Sequence, residues 1–134
     1  MTLSKNDIDS KRGEPYFLVP IAAMQINKAF WGWPLPKTSA SKFPSSTIKA
    51  KIVVGKKAIT ENRRIYYVGG RQELRFVSPT IYKLGLPFLG SILIIKRKNH
   101  VYHLQVVDKQ DQMFAGLLKH ATHVASSQKM WGYI

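Results

Sequence analysis

The chain has 134 residues, no cysteine, and 21 Lys+Arg against 7 Asp+Glu, giving a formal charge of +14. That length holds one domain, and 45% hydrophobic with 11% aromatic residues can build a packed core, so a wholly disordered basic tail is excluded. A bilayer-spanning helix of ~20 apolar residues is excluded as well, because the longest apolar stretch after the opening is only Gly90-Ser91-Ile92-Leu93-Ile94-Ile95.

Residues 1–14 are polar, carry almost no apolar anchor, and read as a flexible leader or linker with no secretory signal. The folded unit is expected over residues 15–134. From residue 15 the apolar runs are short and rich in β-branched and aromatic side chains, at 16–19, 47–54, 64–68, 73–77, 91–96 and 101–107. Gly55-Lys56-Lys57, Gly69-Gly70, Ser78-Pro79, Gly85, Pro87, Gly90 and Lys98-Asn99-His100 supply the turns between them. The pattern is mainly β. In Ile48-Lys49-Ala50-Lys51-Ile52 the two-residue period puts the lysines on one face and the apolar residues on the other. Ile92-Leu93-Ile94-Ile95 is apolar throughout, as in a strand buried on both faces, and Asn99-His100 reads as a hairpin turn into the next strand. Ser78-Pro79 predicts a capped helix stopped by Gly85, and a second short helix is expected at 41–43 or 112–120.

The charge is unevenly placed. No Asp or Glu occurs from Pro15 to Thr60 or from Leu74 to Val107, whereas lysines and arginines recur in both stretches. A chain needing only solubility would intersperse the signs, and self-repulsion at this charge is relieved by a polyanion, so the excess reads as phosphate-contact surface. Two segments carry groups able to read bases. Residues 25–33 present Gln25, Asn27, Lys28, Trp31 and Trp33, with Phe30, Trp31 and Trp33 equally readable as core and the polar groups as turn caps. Residues 63–75 present Arg63, Arg64, Arg71, Gln72, Glu73 and Arg75 around a Gly-Gly that admits close backbone approach; a plain surface hairpin with scattered cations is the alternative.

Catalytic patterns are sparse. A metal-dependent nuclease needs convergent carboxylates, and Asp108 and Asp111 are the nearest candidates, with no third acid beside them. His100 and His103 lack the lysine that a phospholipase-D-type nuclease would place two residues on. His120-Ala121-Thr122-His123 has neither Cys nor Glu near it, and no Gly-rich phosphate loop opens a helix. A chain that binds rather than cuts is expected, with no metal, cofactor or small-molecule substrate.

A strand, a polar loop with tryptophans, Pro34-Leu35-Pro36, the Lys42-Phe43-Pro44 step, a basic strand and Arg64-Ile65-Tyr66-Tyr67 leading into a Gly/Arg-rich hairpin follow one another here. This order resembles the B3-type DNA-binding pseudobarrel, in particular the recognition domains of bacterial restriction endonucleases of the EcoRII and BfiI kinds. The closing Lys129-Met130-Trp131-Gly132-Tyr133-Ile134 is similar to the Gly-Tyr-Ile ending of the BfiI-type domain. The resemblance implies a seven-stranded open β-barrel with one or two short helices, gripping the major groove with two arms at 25–33 and 63–75. The first arm departs from the longer Gly/Thr/Asp-rich arm of EcoRII-like domains, so only its location carries over.

The resulting expectation is a cytoplasmic, sequence-specific double-stranded DNA-binding domain of a restriction endonuclease, with the nuclease on another domain or subunit. Gln25, Asn27, Lys28, Trp31, Trp33, Arg63, Arg71, Gln72, Glu73 and Arg75 would read bases; Glu73 would accept from cytosine. Lys49, Lys51, Lys56, Lys57, Arg64, Tyr67, Lys96 and Lys98 would contact phosphates. The alternatives are an RNA- or ribosome-associated β-barrel stacking bases on Trp31, Trp33, Tyr66 and Tyr67, or a small metal-dependent nuclease using Asp108 and Asp111.

Overall fold

The computed structural model describes residues 1–8, 13–125 and 128–134. Strands β1 (Tyr16–Val19), β2 (Ser45–Val54), β3 (Lys57–Val68), β4 (Glu73–Val77), β5 (Ile92–Lys98) and β6 (Val101–Val107) form one curled sheet, a half-barrel, in the order β1-β4-β3-β2-β6-β5. A second sheet pairs β7 (His123–Val124) with β8 (Met130–Trp131). The fold is mainly β. Turn chemistry fixes two of the hairpins. Gly55 takes φ 59 in the tight β2–β3 connection, and Asn99 and His100 both take positive φ, 51 and 64, in the primed turn between β5 and β6. All neighbours are antiparallel except β2 and β6, which run parallel with Lys49 beside Val101 and Val54 beside Val106.

The inner face of the curl is the core. Ala50, Ile52 and Val54 of β2 pair with Tyr102, Leu104 and Val106 of β6, with Phe17, Ile48, Ile65, Leu74, Phe76 and Leu93 in the same core. Phe17 stacks on Phe76 at 4.7 Å between centroids, and Phe76 meets Tyr102 edge-on at 5.2 Å. Each fully buried side chain of this size contributes about 1.5–3 kcal/mol, so the alternation seen in β2 fixes which face turns inward. The apolar run at the start of β5 is not buried on both faces: Ile92 and Leu93 are buried, Ile94 and Ile95 only half so. The reason is position, since β5 is the edge of the sheet.

Residues 1–8 are not a flexible leader. Leu3 and Ile8 are both 1% exposed and belong to the core, with Lys5–Ile8 forming a single helical turn, α1. Leu3 N–H donates to the Ser91 carbonyl, Gly90 N–H to that of Leu3, and Leu93 N–H to that of Met1, so residues 1–3 lie along the open edge of β5. Thr2 N–H in turn donates to the Met130 carbonyl, tying β8 to the same segment. Residues 9–12 of the expected leader lie outside the described residues. The opposite edge, β1, is met by side chains. The fully buried Asp7 carboxylate accepts the Leu18 N–H at 3.1 Å, and Lys129 Nζ donates to the Leu18 carbonyl at 2.6 Å while pairing with Asp7 at 2.8 Å. A buried ion pair thus stands where a further strand would hydrogen-bond.

Helices are short. Besides α1 there are α2 (Ile21–Ile26), α3 (Pro79–Tyr82) and α4 (Phe114–Leu118), with 3₁₀ turns at Ala29–Trp31, Gly69–Arg71 and Leu86–Phe88. Ser78 caps α3 as expected, accepting the Ile81 N–H with Pro79 in the first turn. α4 falls within 112–120, and residues 41–43 are not helical. The stretch 21–31, read from sequence partly as loop, is α2 and a 3₁₀ turn. No helix among the described residues is long and apolar enough to cross a membrane.

Candidate nucleic-acid interface

Cross-strand register assembles a basic surface that no single segment carries. On the outer face, Lys49 of β2 lies beside Val101 of β6, which pairs with Lys98 of β5; in the next row Lys51 lies beside His103, which pairs with Lys96. The four lysines are exposed and His103 is half-buried between them. Strands spaced ~4.8 Å apart and a rise of ~3.3 Å per residue put the β2 and β5 lysines about 10 Å apart, and successive lysines of one strand about 7 Å apart. β3 extends the face with Asn62 beside Lys49, Thr60 beside Lys51, and Arg64 beside Thr47. β2, β5 and β6 contain no acidic residue at all. Lys56 and Lys57 are exposed at the far end of β2, away from this cluster.

The two expected arms leave the sheet from one end. Val19 of β1 pairs with Leu74 of β4, and Glu73 pairs with Val68 of β3, so the chain into α2 and the tip at 69–72 emerge together. A cavity of about 470 Å³ lies between them, lined by Pro20, Ala22, Arg71, Gln72, Glu73 and His123 among others. Arg71 and Gln72 are exposed at the tip, Gln72 with φ 51. Arg63 is also exposed, although it shares the inward-facing row of Ile48.

Glu73 and Arg75 are engaged with each other. Arg75 donates through Nε and a terminal nitrogen to one Glu73 oxygen, at 2.8 and 2.6 Å, with its guanidinium 4.4 Å from the Tyr16 ring centroid. Tyr66, 1% exposed, accepts from Arg75 and donates to Glu14 at 2.6 Å, and Glu14 also pairs with Arg64 at 2.9 Å. Burial of the Glu14 carboxyl opposes its charge, but hydrogen bonds from Tyr66 and Arg64 outweigh it and hold the group below the usual carboxylate range. Burial pushes the Tyr66 hydroxyl up, and the charge of Glu14 adds to that. Arg75 loses solvation as well, yet its bonds to Tyr66 and Glu73 keep it firmly protonated. This network orders the base of the second arm.

On the first arm, Gln25, Asn27 and Lys28 are exposed, with Asn27 Oδ1 accepting the Phe30 N–H at 3.3 Å. Trp31 is core, 4% exposed, stacked on Tyr102 with its indole N–H given to the Tyr133 hydroxyl. It is thereby withdrawn from any groove. Trp33 is half-buried and packs edge-on against Tyr67 at 4.9 Å. Arg97, not singled out from sequence, holds this arm down: it donates to the carbonyls of Ala29 and Phe30 at 2.7 and 3.0 Å. Tyr102 donates to the Phe30 carbonyl from the same side, and burial raises its hydroxyl to about 12. His103 lies on the outer face between Lys51 and Lys96, a placement set by pairing with two other strands and not legible in its own segment.

Asp108 and Asp111 are exposed, and each accepts a local N–H through one oxygen, from Gln110 and Met113 respectively. Among the described residues no group of three or more His, Asp or Glu converges. Compared with known proteins, the chain is matched by no family model and by no curated protein sequence.

Proposed function

We propose that the chain is a sequence-specific double-stranded DNA-binding domain of the pseudobarrel kind, serving a restriction endonuclease whose cutting activity lies on another domain or subunit. The observation that carries the reading is the register of β2, β6 and β5, which brings Lys49, Lys51, Lys96 and Lys98 to one face with no carboxylate on those strands. These lysines, with Arg64, set the position of the duplex on its phosphates, and Arg71, Gln72, Gln25, Asn27 and Lys28 reach base edges from the shared end of the sheet. Residues 1–3, hydrogen-bonded along β5 and tied to β8, add a further segment to the edge of the six-stranded half-barrel, which supports reading it as an open barrel of the seven-stranded kind.

Duplex is favoured over single strands by the aromatics. Sequence-tolerant binding of unpaired bases needs exposed rings, whereas Trp31 and Tyr66 are buried and Trp33 and Tyr67 face each other.

Selection of bound duplexes from a random pool at about 150 mM salt tests the reading, because non-specific phosphate binding is suppressed there. Enrichment of one short motif is expected. Recovery of no motif, with binding that only fades as salt rises, would leave a charge-driven binder and overturn sequence recognition.

A further inference from the structure

We propose that the outer face of β6 is the floor of a proton-linked polyphosphate groove, which holds one phosphate chain between two lysine banks and takes up a proton at His103 as it does so. The chain is a nucleic-acid backbone or an inorganic polyphosphate; its identification with duplex DNA rests on the function proposed above. A cavity of about 500 Å³ lies here, its walls largely apolar through Val53, Ile59 and Ile94 and its rim basic through Lys51, Lys96, Lys98 and His103. One bank is Lys49 and Lys51 on β2, the other Lys96 and Lys98 on β5, and the floor between them is Val101, His103 and Gln105. The floor carries no aromatic ring on which a base could stack, so the groove suits a sugar-phosphate or polyphosphate chain rather than splayed bases.

His103 occupies the middle of the row Lys96–His103–Lys51. The groups facing it are Lys51, Lys49 and Val53 from β2, Lys96, Lys98 and Ile94 from β5, and Val101 and Gln105 from its own strand, with Thr60 and Asn62 of β3 beyond. Not one is acidic. A cation at that spot is repelled by two ammonium groups when the groove is empty and attracted when a phosphate chain fills it. Imidazole is the side chain that gains or loses a proton near neutrality, so filling and protonation reinforce each other.

Titrations of the whole chain with a short duplex and, separately, with tripolyphosphate, at about pH 5.5 and about pH 8 on either side of the imidazole range, test this. The duplex, whose phosphodiesters do not titrate in this range, is expected to bind about tenfold tighter at the lower pH, with proton uptake seen by calorimetry in buffers of different ionisation enthalpy. Tripolyphosphate, whose end groups titrate there themselves, is compared between the unmodified chain and the His103 variants at each pH. The duplex salt slope should steepen by about 0.9 there, one further phosphate being neutralised. His103→Gln and His103→Asn are expected to abolish both effects, and His100→Gln, at the neighbouring turn, to retain them. A pH dependence that survives in both His103 variants, or is missing from the unmodified chain, overturns the proton linkage. Tripolyphosphate binding without duplex binding would overturn the DNA reading and support the groove; duplex binding indifferent to Lys51→Ala and Lys96→Ala, with no tripolyphosphate binding, would overturn the groove and leave DNA binding standing.

Discussion

Lys129 and Asp7 are the most exposed to consequence of any single side chains here, because each is buried and each also serves the backbone of Leu18. Lys129→Met removes the cation and leaves the Asp7 charge buried beside Ser4, whose N–H and hydroxyl it also accepts. A loss of about 3–5 kcal/mol in urea unfolding is expected. Pairing Lys129→Met with Asp7→Leu removes both charges, yet the Leu18 N–H and C=O then lack partners, so the double variant stays below the parent by about 1–3 kcal/mol. Glu14 makes a pH-dependent contribution. Its carboxyl is held below the ordinary value of 4.5, so its stabilisation is complete above that pH and disappears as pH falls through the lowered folded value. Glu14→Gln should flatten the acid side of the stability profile; an unchanged profile would show that Arg64 and Tyr66 gain nothing from the charge. Arg71→Ala, at the exposed tip, is expected to narrow the gap between cognate and random DNA by about 1–3 kcal/mol, whereas Lys51→Ala weakens both alike. Equal losses for both DNAs in Arg71→Ala would remove Arg71 from base reading.

Hairpins and edges decide what could be read in advance. Strong local chemistry was legible: the alternation of β2, the Ser78-Pro79 cap and the Asn99-His100 turn are all written in adjacent residues. That turn also carries a prediction. His100 sits at φ 64, which costs a non-glycine residue about 1–2 kcal/mol, so His100→Gly should raise the urea midpoint by the part of this that glycine's own entropy does not cancel. A lowered midpoint would mean that the imidazole makes a contact worth more than the strain. The N-terminal segment was not legible, because Leu3 and Ile8 are isolated apolar residues in a polar stretch and a buried Asp7 looks like any surface acid until its partner is known. α2 was hidden by its brevity and by Pro20 at its cap, which offers no side-chain hydrogen bond. The candidate interface was legible as composition but not as geometry. The lysines of β2 and β5 meet across β6 only through a parallel pairing between segments some 50 residues apart, and no local period encodes that.

For the whole molecule, a charge of +14 on a single small domain means that like charges are crowded whenever no polyanion is bound. Salt shortens the reach of that repulsion from ~30 Å at 0.01 M to ~8 Å at 0.15 M. The thermal midpoint is therefore expected to climb with sodium chloride, by about 4 °C for each kcal/mol of repulsion relieved. A midpoint that falls with salt would mean that ion pairs such as Arg64–Glu14 outweigh the crowding.

The ion pair that caps β1 joins residues 122 positions apart, and this bears on the birth of the chain at the ribosome. Asp7 is made early and Lys129 late; at ~5–20 residues per second the wait is about 6–24 s. Throughout that interval the Leu18 backbone lacks its ammonium donor, and β1 offers an open edge to any neighbouring nascent copy. The surplus of lysine and arginine repels like-charged chains, so it would keep half-made copies apart until Lys129 arrives to close the edge.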